Sequence, residues 1–359
     1  MRKILLIFTV FFVILLSISC TTQYTQENPT FVHVQTPTSV AEAIPTPLEK
    51  ITMTPVLKST SASAVPTRIL EGIPSNIYIA YRKVDYINVP EIGIISIDDM
   101  KYRVLFSGDN VNSTFTVAPS QEKLAFSKFV GVSKYELTLV DFETDQIRGY
   151  SIPGCVPSSD VPAWSPDSME LAISCADNRI AVVSFDGENL IVESSLMIDD
   201  KDVAIHNPSW SPDGKHLSFY ISRPFDAQDS SAHGPYLIDM DCYKNSSECK
   251  IVPIALGVEG LSRWTPDGFI AVANDATIFL FDPTSLKVEK SFAIPLKDTR
   301  IMSFAWSPDN QWIAFSAPGY DGGPGINAIY IMSLLDNSQP TLIDGQDGGE
   351  VLFWLSIHE

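Results

Sequence analysis

Trp164-Ser165-Pro166-Asp167-Ser168 leads straight into the apolar run MELAIS from Met169, and this pairing returns three more times along the chain. Trp210-Ser211-Pro212-Asp213-Gly214 is followed by KHLSFY from Lys215. Trp264-Thr265-Pro266-Asp267 leads into GFIAVA from Gly268, and Trp306-Ser307-Pro308-Asp309-Asn310 into QWIAFS from Gln311. A degenerate copy stands at Val117-Ala118-Pro119-Ser120, before EKLAFS from Glu122, and a further one begins at Trp354. Counted from position 117, successive copies lie 47, 46, 54, 42 and 48 residues apart, and five of the six Trp occupy this single repeat position. A fixed period of roughly 40–50 residues means one supersecondary unit used again and again.

Each unit reads as four short strands. In the third they are VPAW ending at Trp164, MELAIS, RIAVVSF from Arg179 and NLIVESS from Asn189. Runs of about five to eight β-branched and aromatic residues, punctuated by Pro, Asp and Gly, are strand signals. The Pro-Asp-Gly that follows Trp is turn chemistry, since Pro presets φ, Asp bonds nearby backbone and Gly accepts φ > 0. A second landmark is an Asp at or just after the third strand, at Asp141, Asp186, Asp241 and Asp282. Four-stranded units of this length predict an all-β fold, a six-bladed β-propeller over residues 73–359. The first blade has later strands, NIYIAYRK from Asn76, IGIISI from Ile92 and YRVLFS from Tyr102, but no Trp strand before them. The C-terminal GEVLFW strand, ending at Trp354, is expected to supply it and so close the ring, removing sheet edges that an open array would expose.

The motif W-[ST]-P-D-[GSN] with an L/I-A-F-like strand after it resembles the WD-repeat-like propeller repeats of the TolB family, over essentially all of residues 73–359. The resemblance implies a six-bladed propeller and a protein-binding role in the cell envelope. TolB carries an additional N-terminal α/β domain; the expected tether occupies that place here, so the Tol-system role is not carried over.

Outward from the repeats, the N-terminus reads as a targeting segment. Arg2 and Lys3 precede an apolar stretch from Ile4 to Leu16, and Ser17-Ile18-Ser19-Cys20 follows. Basic, then apolar, then small is the layout of a secretory signal over residues 1–19. The stretch is short for a membrane-spanning helix, which needs about 20 residues. A Cys directly after the small residues resembles a bacterial lipoprotein signal, in which Cys20 becomes the lipidated N-terminus; that pattern has Leu where this chain has Ser17. An ordinary cleaved signal and an uncleaved anchor are the alternatives, and all three place the body of the protein outside the cytoplasm.

Residues 20–72 are expected to form a disordered Thr/Ser/Pro-rich tether. Thr21 to Thr67 holds 11 Thr, 4 Ser and 6 Pro and no Gly, too little apolar bulk to offset the entropy of ordering. The net charge is −19, from 24 Lys plus Arg against 43 Asp plus Glu; loss of residues 1–19 would remove two positive charges and no acid, leaving −21. Such a surface repels polyphosphate, so nucleic-acid partners are excluded.

Besides Cys20 there are four cysteines, an even number that in an exported chain suggests two disulfides. Cys242 and Cys249 flank the loop between the third and fourth strands of one blade. Cys155 enters a blade whose second strand ends at Cys175. Both of the latter positions emerge on one face of an up-and-down blade, so the expected pairs are 155 with 175 and 242 with 249; buried free thiols are the alternative reading.

Chemistry is sparse. No G-x-S-x-G occurs, so no hydrolase domain of that type is expected. None of His206, His216 and His233 pairs at ligand or triad spacing in the sequence, and His216 reads as an exposed turn residue. Asp239, Asp241, Asn245 and Glu248 crowd oxygen ligands without the calcium-loop spacing. The repeated Asp167, Asp213, Asp267 and Asp309 read as turn residues, because a residue present in every blade serves the fold. The repeated Trp164, Trp210, Trp264, Trp306 and Trp354 read as packing between blades. No catalytic residue, metal or cofactor is therefore assigned. Two irregular segments are candidate binding loops, because loops carry function on a repeated scaffold: Arg223 to Pro235, with Arg223, Phe225, Asp226 and His233, and Tyr320 to Gly325, with Tyr320 and Asp321. The functional expectation is a non-enzymatic, monomeric scaffold, tethered to membrane lipid through Cys20, that binds a protein or envelope component. The alternative is a small-ligand-binding or metal-dependent enzyme using the central channel.

Overall fold

In a computed structural model the described residues are 31–35, 40–41, 77–83, 91–96, 102–107 and, apart from short loop segments, 115–356. The architecture is a six-bladed β-propeller of antiparallel blades. Blade 1 runs Gly349–Ser356, Ile77–Lys83, Glu91–Ser96, Tyr102–Ser107 from the first strand outward, so the ring is closed by the C-terminal strand. Blade 2 is Phe115–Val117, Lys123–Gly131, Lys134–Asp141 and Gln146–Tyr150. Blade 3 is Ala163–Trp164, Glu170–Cys175, Arg179–Asp186 and Asn189–Met197, and blade 4 is Ala204–Trp210, His216–Ser222, Gly234–Asp239 and Val252–Pro253. Blade 5 is Ser262–Trp264, Ile270–Asn274, Thr277–Phe281 and Val288–Ala293; blade 6 is Ser303–Trp306, Trp312–Pro318, Asn327–Ser333 and Thr341–Asp344.

First strands of successive blades contact one another in a closed cycle, blade 6 meeting blade 1 and blade 1 meeting blade 2, so these strands surround the axis. The core is correspondingly divided. Six hydrophobic clusters each join two adjacent blades, for example Leu237 of blade 4 with Ile270 and Val272 of blade 5, or Ile79 and Trp354 of blade 1 with Ala305 and Ile331 of blade 6. A blade sandwiched between two others is buried on both faces, which is why the second strands read as nearly continuous apolar runs rather than alternating ones. Glu170–Cys175 is buried at all but its first residue, whereas the outermost strand of blade 5, Val288–Ala293, is exposed at all but Phe292.

In blades 3 to 6 the repeat motif builds the turn between the first and second strands by the same bonds. In blade 3 the Ser165 hydroxyl donates to Asp167 Oδ1 at 2.6 Å, Met169 N–H donates to the same oxygen at 3.0 Å, and Glu170 N–H donates to Ser165 Oγ at 2.9 Å. Ser211–Asp213, Thr265–Asp267 and Ser307–Asp309 repeat the hydroxyl-to-carboxylate bond at 2.7, 2.6 and 2.5 Å. Those bonds hold the carboxyls of Asp167 and Asp213 below the usual carboxylate range, the serine hydroxyl being the largest cause and burial opposing it. The residue after Asp has positive φ throughout: Ser168 at 64°, Gly214 at 71°, Gly268 at 90° and Asn310 at 59°. A side chain in that region costs about 1–2 kcal/mol that Gly avoids. Ser168→Gly is therefore expected to raise stability by about 0.5–1 kcal/mol, read as a higher urea midpoint with an unchanged slope.

In blade 4 the third strand ends at Asp239, and Asp241 follows just after it, as expected. The strand passes into the helix Met240–Asn245, whose first turn is capped by Asp239 Oδ1 accepting from Cys242 N–H at 2.8 Å. Two sequence expectations change. His216 is half-buried rather than exposed, its ring stacked on Trp264 at 6.1 Å. Within the stretch expected to be wholly disordered, Phe31–Gln35 and Val40–Ala41 are strands. Phe31–Gln35 pairs antiparallel with Asn189–Met197 on one side and Glu248–Lys250 on the other, and Val40–Ala41 pairs further along Asn189–Met197. The outer strand of blade 3 is an edge with unsatisfied backbone groups, and an extended chain rich in β-branched residues can satisfy them. The signal segment, Cys20 and the remainder of the tether lie outside the described residues. Among the described residues, no helix is long and apolar enough to cross a membrane.

Candidate functional site

Strand direction divides the disc into two faces. The Trp-Ser-Pro-Asp turns, closing the first strand onto the second, lie on one face. The loops entering each blade, and those leaving its second strand, lie on the other.

On the turn face, each repeat Trp reaches across to the preceding blade. The indole N–H groups of Trp210, Trp264 and Trp354 donate to the carbonyls of Ala163, Ser209 and Ala305 at 3.0, 3.0 and 2.9 Å. Each acceptor is the residue just before the neighbouring blade's own Trp. Trp164 faces the degenerate blade 2, where Val117 stands at the repeat position, and its buried Nε1 has no hydrogen-bond partner. The Trp side chains thus join blades: Trp164, Trp210, Trp306 and Trp354 are buried, and Trp264 is half-buried. A depression of about 280 Å³ is lined by Trp210, Trp264, Trp306, Trp354, Phe353 and Arg263, with Pro212 and Pro266 among its other walls. Its walls come from the first strands of four consecutive blades, which places it at the mouth of the central channel. Arg263 and Trp264 are half-buried, and Pro212 and Pro266 are exposed. From the sequence these Trp read first as packing residues between blades, Trp being also an interface residue; that five of them occupy the axial position of successive blades is the signal that could have found the mouth.

On the loop face, the disulfide Cys155–Cys175 ties the entry loop of blade 3 to the end of its second strand. The second disulfide, Cys242–Cys249, staples the insert of blade 4, which follows the third strand and so lies on the turn face. That insert is docked on blade 3 by Tyr243, which is 1% exposed and whose hydroxyl donates to the Ile180 carbonyl at 3.1 Å, and by Lys244, which pairs with Glu170 at 2.7 Å. Burial pushes the Tyr243 phenol above its ordinary range. Asp239 caps the helix, while the Asn245 amide donates to the Asp241 carbonyl, so these oxygen-bearing residues are engaged in local structure. Among the described residues, no group of three or more His, Cys, Asp and Glu is placed to hold a metal.

Of the candidate loops, Arg223 and His233 bracket the longer one at the ends of adjacent strands, both half-buried. Phe225, Asp226, Tyr320 and Asp321 lie outside the described residues. At the base of the longer loop the fold assembles three groups that linear spacing keeps apart. Asp160, in the entry loop of blade 3, lies with Oδ2 3.1 Å from His206 Nδ1, and His206 Nε2 lies 2.9 Å from Ser222 Oγ. His206 is near the start of the first strand of blade 4 and Ser222 ends its second strand. The shift in pairing between His206 and Ser209 marks an irregularity at this end of the ladder.

Comparison with solved structures identifies the same fold. TolB from Acinetobacter baumannii matches at 17% identity and TM-score 0.56, over 79% of this chain and 68% of that one. A TolB from Agrobacterium tumefaciens, described as putative in its own structure, matches at 16% identity and TM-score 0.53, over 76% and 91%. A protein from Lactobacillus plantarum matches at 13% identity and TM-score 0.50, over 74% and 80%. No family model matches the sequence, and no curated protein does.

Proposed function

We propose that a TolB-like propeller disc, held outside the cytoplasm by a lipid on Cys20 and the stretch that follows it, acts as a binding scaffold for a protein or other envelope component. The observation that carries this reading is the axial mouth on the turn face. Small-molecule sites usually enclose about 300–1,000 Å³. A space of about 280 Å³ suits one or two side chains protruding from a partner. Trp and Arg in a sheltered concavity are the residues that dominate protein interfaces, and the rigid ring holds them in place before binding, which lowers the ordering cost. Among the described residues of the lining Arg263 is the ionisable one, so the mouth offers apolar contact and a positive charge. Two disulfides fit an oxidising compartment.

The test is crosslinking capture on intact cells with tagged full-length protein, followed by mass spectrometry, comparing wild type, Arg263→Glu and a version lacking 224–232. One dominant partner is expected, recovered about tenfold less with Arg263→Glu, since a hot-spot contact is worth at least about 1–2 kcal/mol, and unchanged without the loop. Loss with the loop version alone would move the site to the opposite face. Failure to recover any partner from wild type would count against the scaffold reading.

A further inference from the structure

We propose that Ser222 is an activated nucleophile, and that the loop face between blades 3 and 4 carries an acyl-accepting site for activated carboxylic esters. This goes beyond the scaffold reading and uses the other face of the disc, so either can stand without the other.

The proton inventory supports it. Asp160 Oδ2 accepts from the Ser158 hydroxyl at 2.8 Å and lies 3.1 Å from His206 Nδ1. An ionised carboxylate has no proton to give, so Nδ1 must carry the hydrogen and donate it. In neutral imidazole that leaves Nε2 as the acceptor, and the only hydrogen available across its 2.9 Å contact is that of the Ser222 hydroxyl. Asp160 thus selects the tautomer in which His206 draws on the Ser222 proton. This is the constellation of acyl-transfer triads, which is recognised by geometry and roles rather than by chain order or fold. The groups also sit where a reagent can approach: the side chains of His206 and Asp160 are 34% and 17% exposed, and Ser222 is half-buried. Two members stand on paired strands of one blade and the third on the loop fastened by Cys155–Cys175, which fixes the spacing more firmly than three loops would.

Ser222 Oγ attacks the ester carbonyl carbon as its proton passes to His206 Nε2. The bond from that carbon to the leaving oxygen breaks, and the leaving alkoxide takes the proton from Nε2. Water then attacks the acyl-serine, giving one proton to Nε2, which returns it to Ser222 Oγ as the acid departs. Asp160 touches no substrate; it is a positioning residue.

The probe is a biotinylated fluorophosphonate, which forms a Ser–O–P bond with loss of fluoride. Full-length protein is labelled across pH and the adduct is mapped by mass spectrometry. Labelling is expected at Ser222 and is abolished in Ser222→Ala. His206→Gln is expected to slow it roughly a hundredfold or more, the scale of general-base assistance. Asp160→Asn is expected to lower the rate and shift its pH profile, which loss of a merely structural bond would not do. Hydrolysis of p-nitrophenyl acetate should follow the same order. Thermal melts of the variants separate loss of fold from loss of the nucleophile. A wild type labelled no faster at Ser222 than at other serines overturns the proposal. So does Ser222 labelling indifferent to His206→Gln in a variant with an unchanged melt; the three residues would then be only a clamp between blades.

Discussion

Trp354→Ala is expected to lose about 3–5 kcal/mol, the range for removing a large buried aromatic side chain, and to lower the melting temperature by roughly 10 °C. Trp354 is 8% exposed and packs with Ile79, Ala305, Ile331 and Val351 where the last blade meets the first. Its indole N–H holds the Ala305 carbonyl at 2.9 Å, and three residues earlier Val351 N–H donates to Ser303 Oγ at 2.7 Å. The strand therefore fastens blade 6 to blade 1 by side chain and by backbone. Trp354→Phe keeps most of the bulk and surrenders the hydrogen bond, so it should cost only about 1–2 kcal/mol. Removing residues 349–359 altogether should do more. Ile77–Lys83 would become an open edge, and the interface it shares with blade 6 would be exposed to water. We expect that truncated chain to lose its single cooperative melt and to aggregate, as seen by light scattering during a thermal scan. A truncated chain that melted like wild type would refute closure by the C-terminal strand.

Tyr243→Ala carries the second large effect. The side chain is 1% exposed and belongs to the cluster that joins blades 3 and 4, beside Ile180, Leu196, Trp210 and Cys249. Loss of its ring should cost about 3–5 kcal/mol. Tyr243→Phe leaves the Ile180 carbonyl without that donor but keeps the packing, and should cost about 0.5–1.5 kcal/mol. The comparison separates packing from hydrogen bonding at the point where the insert docks. Lys244→Ala is the control: its pair with Glu170 is partly exposed, and its removal should move the urea midpoint little. If Tyr243→Ala proves as mild as Lys244→Ala, the insert is not part of the interblade core.

The fold was legible because one turn repeats. Ser or Thr, Pro and Asp close the first strand onto the second in blades 3 to 6, where the bonds of Ser165–Asp167 recur at Ser211–Asp213, Thr265–Asp267 and Ser307–Asp309. Blade 1 could be assigned to both ends of the chain because a Trp strand was missing at one and surplus at the other. Features that break the period were harder. The helix Met240–Asn245 gave no signal in the repeat, and the pairing of Phe31–Gln35 joins segments more than 150 residues apart. The two sites were hidden for different reasons. The Trp of the axial mouth were visible but had an adequate structural explanation, and the concavity arises only when four blades stand around one axis. Asp160, His206 and Ser222 belong to two blades and to no motif, so their approach is a product of the ring alone.

Among all of these, the axial mouth bears most directly on what the molecule does. A photo-crosslinking residue placed at Pro266 on its rim, in full-length protein expressed in its own cells, should yield one discrete protein adduct. The same residue at Lys290, on the exposed outer strand of blade 5, should yield none. Adduct formation at Lys290 equal to that at Pro266, or adducts arising only from the 224–232 loop, would contradict recognition through the turn face.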